Sequence, residues 1–205
     1  MNQQFQYYER YSHEVTRALG GLVTTAESGE QIRGEVAFKR WCSMTRDVFG
    51  NNRTVYFVGN GASAAMASHM AADSSKNGEL RAMAFNDSSL MTAVSNDISF
   101  EDCFAEPVKR FGLAVDLLIT ISSSGNSENI IRAIQAARPL GMGVVTLSGM
   151  REDNRSRLLG DVNFFVPAKT YGIVECCHQV LLHCWLDQFM GVSEWGQAAD
   201  SGPTE

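Results

Sequence analysis

Residues 54–73 read TVYFVGNGASAAMASHMAAD, and no other stretch limits the choice of fold so strongly. Val55-Tyr56-Phe57-Val58 is an apolar run of strand length, Gly59-Asn60-Gly61 breaks it, and a run of small residues with helical character follows. A strand, a glycine turn and a helix in that order bring free backbone N–H groups and the positive end of a helix dipole to one point. That point suits an anion, and phosphate is the usual guest. His69 and Asp73 lie four apart on the same helix, so both project from one face below the anion site.

A second stretch repeats the arrangement. Val115 to Ile121 (VDLLITI) is an apolar run of strand length, followed by Ser122-Ser123-Ser124-Gly125-Asn126-Ser127 and a helical pattern from Glu128 through Ala137. One serine at a helix start is most often a simple cap. Four of them directly after a buried strand, matched by GNGAS after another, point instead to phosphate held by hydroxyls as well as backbone donors.

The remaining pattern alternates strands with helices. Residues 4–28 and 31–49 read as two helices broken near Ser28-Gly29, with Phe5, Tyr8, Val15, Leu19 and Leu22 on the first and Val36, Phe38, Trp41, Met44 and Val48 on the second. A strand at Arg81–Phe85 precedes a helix capped at Asn86-Asp87-Ser88-Ser89 and running through Val94, and Asn96-Asp97 falls in a loop. Phe100 to Phe111 makes a helix interrupted early by Pro107, and after the serine loop a helix spans 126–138. Strands at 143–147 and 162–166 and a long helix from Gly172 to Met190 complete the series. This predicts an α/β fold, a three-layer sandwich with a central parallel sheet of about five strands flanked by helices, plus N-terminal helices. Ligands in such sheets bind outside the carboxyl ends of the strands, where both loops lie. Three segments follow: N-terminal helices over 1–50, one domain over 51–192, and a polar tail over 193–205 expected to be disordered.

Net charge is −6 over 205 residues, with no basic stripe, which argues against direct nucleic-acid binding. An anion must therefore be held by local donors. No stretch of 18 consecutive apolar residues and no signal peptide stand out, and five scattered cysteines (Cys42, Cys103, Cys176, Cys177, Cys184) read as reduced thiols. A cytoplasmic protein with no membrane span is expected.

The last helix carries the remaining chemistry. Glu175, Gln179 and His183 follow four apart along one face, and His178 is turned away. A lone helix histidine is more often a satisfied structural residue than a ligand. Two histidine-bearing helices, each with a carboxylate on the same face, shift that balance.

GNGAS with a downstream helical histidine, and SSSGNSEN after a strand, resemble a sugar isomerase (SIS) domain, and within it the phosphoheptose isomerases, over about Asn51 to Met190. The resemblance implies aldose–ketose isomerisation of sedoheptulose 7-phosphate to D-glycero-D-manno-heptose 7-phosphate. It also implies a homotetramer with shared active sites, in which the N-terminal helices meet. It places phosphate and substrate contacts at Asn60, Gly61, Ala62, Ser63, Ser122, Ser123, Ser124 and Ser127, and sugar contacts at Asn96 and Asp97. His69 and His183 match the two family histidines, whereas Asp73 stands where the family has glutamate and Glu175 where it has glutamine. The implied metal set, for zinc or another divalent ion, is thus His69, Asp73, Glu175 and His183. Two histidines with two carboxylates suit Zn²⁺, Mn²⁺ or Fe²⁺.

The implied catalytic set is Asp73, His183 and Glu175, with Asp73 and Glu175 both open as the base and Glu175 also a substrate contact. The chain departs from the family run before Glu175, which is here Tyr171-Gly172-Ile173-Val174, and has Asn77 where an arginine is usual. Two non-catalytic alternatives share the scaffold: a phosphosugar sensor, and a tetrameric replication-initiator-associating protein whose last helix Leu182-His183-Cys184 resembles.

Overall fold

Side chains along the central strands bury in alternation on both faces, as expected where helices cover each side of a sheet. In β3 (Thr54–Gly59), Val55 and Phe57 enter one core and Tyr56 and Val58 the other; in β5 (Leu117–Ser122), Leu117, Ile119 and Ile121 oppose Leu118. The computed structural model of the chain describes residues 6–192, and the tail expected to be disordered lies outside them. Five strands run parallel: β4 (Arg81–Ala84), β3, β5, β6 (Gly143–Gly149) and β7 (Val162–Val166), in that spatial order. The expected central parallel sheet is therefore present.

The sequence pattern missed two further strands. Residues expected to continue the first helix to 28 instead form α1 (Tyr7–Gly20) and then β1 (Val23–Ala26), which pairs antiparallel with β2 (Gln31–Ile32) and with β7. The helix stops at Gly20-Gly21, β-branched Val23, Thr24 and Thr25 favour an extended chain, and Gly29 supplies the positive φ (80°) of the turn. The full sheet has seven strands, ordered β2-β1-β7-β6-β5-β3-β4. Three smaller corrections apply. Asn96 and Asp97 close α4 (Ser88–Asp97) rather than sitting in a loop. Val115 lies in a turn at φ 74° ahead of β5. Pro107 is accommodated in the first turn of α5 (Ala105–Phe111) rather than interrupting a longer helix.

Strand order explains where the helices lie. From β3 the chain goes outward to β4 through α3 (Ala62–Lys76), and from β5 it goes the opposite way to β6 through α6 (Glu128–Ala137). Right-handed crossovers in opposite directions put the two helices on opposite faces. Met66, Ala67 and Met70 of α3 accordingly join one core, and Ile130, Ala133 and Ile134 of α6 the other.

The first core also receives α1, α2 (Gly34–Gly50) and α7 (Tyr171–Met190). At its centre Trp41 and Trp185 stack with centroids 4.8 Å apart, and Trp185 Nε1 donates to Thr45 Oγ1 at 2.9 Å. Thr45→Val keeps the shape but leaves a buried indole N–H without an acceptor. The expected loss is about 1–3 kcal/mol in denaturant unfolding, with an unchanged m-value.

His178 of α7 is turned away from the other polar residues of its helix, as the spacing predicts, and is fully buried. Its Nε2 lies 3.2 Å from the Ser148 carbonyl, so that nitrogen carries the proton. Burial pushes the imidazole pKa down from 6.5 to about 4, although the bond to Ser148 acts the other way. Between those values the unfolded chain takes up a proton that the folded chain refuses, so stability falls as pH drops through the window. The contribution is on the order of 3 kcal/mol. His178→Gln should flatten the wild-type slope between pH 6.5 and 4, as read by urea unfolding at each pH.

Candidate functional site

The connections from β3 and β5 leave in opposite directions, which opens a crevice between the carboxyl ends of two adjacent strands. Both motifs sit there. After β3, Gly61 adopts φ 56° and ψ −124° as the N-cap of α3, and a Cβ on Gly59 would come within 2.7 Å of the Ser63 backbone. The two glycines thus let the strand fold back against the first turn of its own helix. Ala62 is the first residue of that helix and Ser63 is buried in it.

After β5, Gly125 takes φ 64° and Ser127 becomes the N-cap of α6. Among the described residues the Ser127 hydroxyl makes no capping bond, and it lines the pocket described next. Ser122 Oγ accepts from the Gly125 N–H at 3.2 Å and Ser124 Oγ from the Asn126 N–H at 3.3 Å, which leaves both hydroxyl protons to donate. Ser123 is buried, and its Oγ has no hydrogen-bond partner among the described residues.

Asn60, Ser63, Ser122, Ser123, Ser124 and Ser127 line one pocket of about 150 Å³, together with Tyr171 and Glu175 of α7. Five hydroxyl-bearing serines around a small hollow at two helix starts match the donor needs of a phosphoryl group. The two loops are joined directly: Asn60 Nδ2 donates to Asn129 Oδ1, and Asn129 Nδ2 to Asn60 Oδ1, each at 2.9 Å. Asn129 also donates to Cys103 Sγ at 3.4 Å. Sequence reasoning singled out neither Asn129 nor Tyr171 as site residues. Asn129 ends the SSSGNSEN stretch, but its partner lies 69 residues away.

The histidines form a second group. His69 Nε2 lies 3.3 Å from Asp73 Oδ2, and the His69 and His183 rings sit 5.4 Å apart, edge to face. One ligand atom from each of His69, Asp73 and His183 falls within 4.8 Å of the others, a spacing and N,N,O donor set that fit a divalent cation. Glu175 is not in this group; it belongs to the serine pocket. The two turns of α7 between Glu175 and His183 separate them by about 12 Å along the axis. Gln179, between them, reaches Met70 Sδ at 3.6 Å.

Asn96 and Asp97 are exposed at the end of α4, bonded to each other at 2.8 Å, and line neither group. A larger groove of about 700 Å³ runs between α1 and residues 167–170, but it contains none of the motif residues.

Known proteins resemble this chain in sequence and in fold. The SIS domain family profile matches residues 14–149. The phosphoheptose isomerase of Aromatoleum aromaticum is 39% identical over 145 residues, 67% of this chain and 73% of that protein. That of Coxiella burnetii is 34% identical over the same shares. Among solved structures, the phosphoheptose isomerase from Neisseria gonorrhoeae superposes with a TM-score of 0.77 at 30% identity, covering 92% of this chain and 99% of that one. The one from Francisella tularensis gives 0.78 at 25%, covering 93% and 100%. Identity at this level over two thirds of the sequence goes beyond a common fold: the chain belongs to the SIS domain family, in the group of the phosphoheptose isomerases.

Proposed function

We propose that the chain is an aldose–ketose isomerase that interconverts sedoheptulose 7-phosphate and D-glycero-D-manno-heptose 7-phosphate. The observation that carries this is the spacing of the two groups. Such a substrate has its phosphate at one end of a seven-carbon chain and its carbonyl at the other. A site for it must hold phosphate at one point and proton-transfer groups a chain length away. The serine pocket is the first point. From Ser63 to His69, α3 rises roughly 9 Å, which leads from that pocket towards the second. Relatives named phosphoheptose isomerase agree with this substrate.

In this reading Asn60, Gly61, Ala62 and Ser63 of the first loop and Ser122, Ser123, Ser124 and Ser127 of the second receive the phosphate. Glu175, on the wall of the same pocket, accepts hydrogen bonds from hydroxyls next to the phosphate. Asp73 takes the proton from the carbon beside the carbonyl and returns it to the neighbouring carbon, and His183 moves the proton on oxygen. His69 holds Asp73 by the contact at 3.3 Å. When zinc or another divalent ion is bound by His69, Asp73 and His183, it supplies Lewis-acid stabilisation of the developing oxyanion.

Asn96 and Asp97 serve as hydroxyl contacts in the assembled enzyme. A cytoplasmic homotetramer is part of the same proposal: Tyr7 and Tyr8 of α1 are 72% and 79% exposed and give a neighbouring subunit an aromatic surface. Among the described residues, no helix is long and apolar enough to cross a membrane.

The test is NMR of the purified protein with sedoheptulose 7-phosphate in D₂O. Deuterium should enter the carbon beside the carbonyl and aldose signals should grow. His183→Ala should lower turnover by about a hundredfold or more while phosphosugar still binds. Ser124→Ala should weaken binding severalfold with exchange chemistry intact. Binding without exchange in the wild type would indicate a sensor, and no binding at all a protein scaffold. Added Zn²⁺ should raise the wild-type Tm, and His69→Ala and His183→Ala should lose that response.

A further inference from the structure

The connection between β6 and β7, residues 150–161, is a solvated loop in which Arg151, Glu152, Asp153 and Arg155 are all exposed. Asn154 in its middle is only 1% exposed. A carboxamide buried inside a loop of charged residues has to be accounted for by its partners; three of these lie in the loop itself and the fourth, Ser148, lies on β6 beside Ser122 of the serine motif. Asn154 Nδ2 donates to Ser148 Oγ at 3.2 Å and to the Arg151 carbonyl at 2.7 Å. Its Oδ1 accepts from Ser156 Oγ at 3.2 Å and from the Arg157 N–H at 3.1 Å. Ser148 is the register partner of Ser122, and its carbonyl faces His178.

The loop then grips the serine motif through three consecutive residues. The Asn154 side chain fills the space that a Cβ on residue 125 would need, so Gly125 lies flat against it. The Arg155 N–H donates to Asn126 Oδ1 at 3.0 Å, and the Ser156 N–H donates to the Gly125 carbonyl at 2.9 Å. Outside, the Arg155 guanidinium reaches Glu128 in the first turn of α6 at 2.6 Å, an exposed pair that contributes little by itself.

We propose that this connection is a clasp that fixes the conformation of the anion pocket, with Asn154 as its positioning residue. The proposal rests on the reading of residues 122–127 as a phosphosugar site. A loop with Gly125 at positive φ and donors converging on one anion loses affinity if it must be ordered at each binding event. The clasp removes that requirement by holding Gly125 and Asn126 from a second element that does not line the pocket.

The experiment compares wild type with Asn154→Ala, Asn126→Ala and a control, Asp116→Asn. Asp116 is equally buried, but its carboxylate accepts from the Thr54 and Leu113 N–H groups at the opposite end of the sheet. Calorimetric affinities for inorganic phosphate and for sedoheptulose 7-phosphate are measured alongside kcat, Tm and amide exchange over residues 122–127. Asn154→Ala should weaken both ligands by the same factor, about tenfold, with kcat within about twofold and faster exchange at 125–127. Asn126→Ala, which removes an exposed side chain, should weaken both by a smaller factor, and it carries the test if Asn154→Ala does not fold.

The control should lower Tm without changing affinity or loop exchange. Unchanged affinity and exchange in folded Asn154→Ala or, should that variant not fold, in Asn126→Ala would overturn the proposal. So would an equal loss of affinity in Asp116→Asn. Wild-type protein that binds neither ligand would overturn the functional reading instead, and the exchange comparison would still decide whether the clasp exists.

Discussion

The pairing of β3 with β5 is the constraint on which everything else depends. Five parallel registers, from Val55 with Leu117 to Gly59 with Ile121, hold these strands side by side while their connections leave in opposite directions. Backbone that cannot cross above the pair leaves a gap there, and two helix starts open into it. The strands themselves are apolar and buried on both faces, so their position is set by burial and not by anything in the ligand. Chemistry could change residue by residue in the gap without disturbing the sheet beneath.

The gap is held to one shape by amides. The reciprocal Asn60–Asn129 pair fixes the distance between the two anion loops, with all four hydrogen-bonding atoms coming from side chains. Hydrogen bonds of this kind contribute little net stability, but removing one partner leaves the other unsatisfied. That asymmetry makes the pair a geometric device first and a stabilising one second. The histidine group is built differently. His69, Asp73 and His183 project from two helices, each partly open to solvent; a 3.3 Å contact joins His69 to Asp73, and His183 meets His69 only edge to face. The serine pocket therefore lies on a braced backbone, whereas the histidine group lies on side chains able to adjust.

Much of this was legible in the sequence because the signals are local. Val55–Val58 and Leu117–Ile121 are apolar runs, the second broken only by Thr120, ending in glycine or serine, and such runs become buried parallel strands wherever helices follow. The four-residue spacing of His69 and Asp73 fixes a shared face by helix geometry alone. The same spacing misleads over longer distances. Glu175 and His183 share a face of α7 but stand two turns apart, so facing the same way did not place them in one cluster. Strand β1 escaped because four residues ending in Thr24-Thr25-Ala26 carry too little pattern, and its partner β7 lies far along the chain. Asn129 and Asn154 look like ordinary polar residues of a helix start and a loop until their partners are known, since burial of a carboxamide is decided by tertiary contact.

The β1–β7 pairing has a further consequence for how the chain reaches its folded state. Residues 23–26 pair with residues 162–165, and Ala18 and Trp41 pack in the same core as Trp185. The β1–β2 hairpin thus has no sheet to join until the last strand has left the ribosome. Contacts of such large sequence separation form slowly, and the waiting segment includes an amphipathic helix and an unpaired hairpin edge. Synthesis from the N-terminus leaves that segment exposed longest, so the beginning of the chain, and not its catalytic centre, is where the nascent protein most needs shielding from its neighbours.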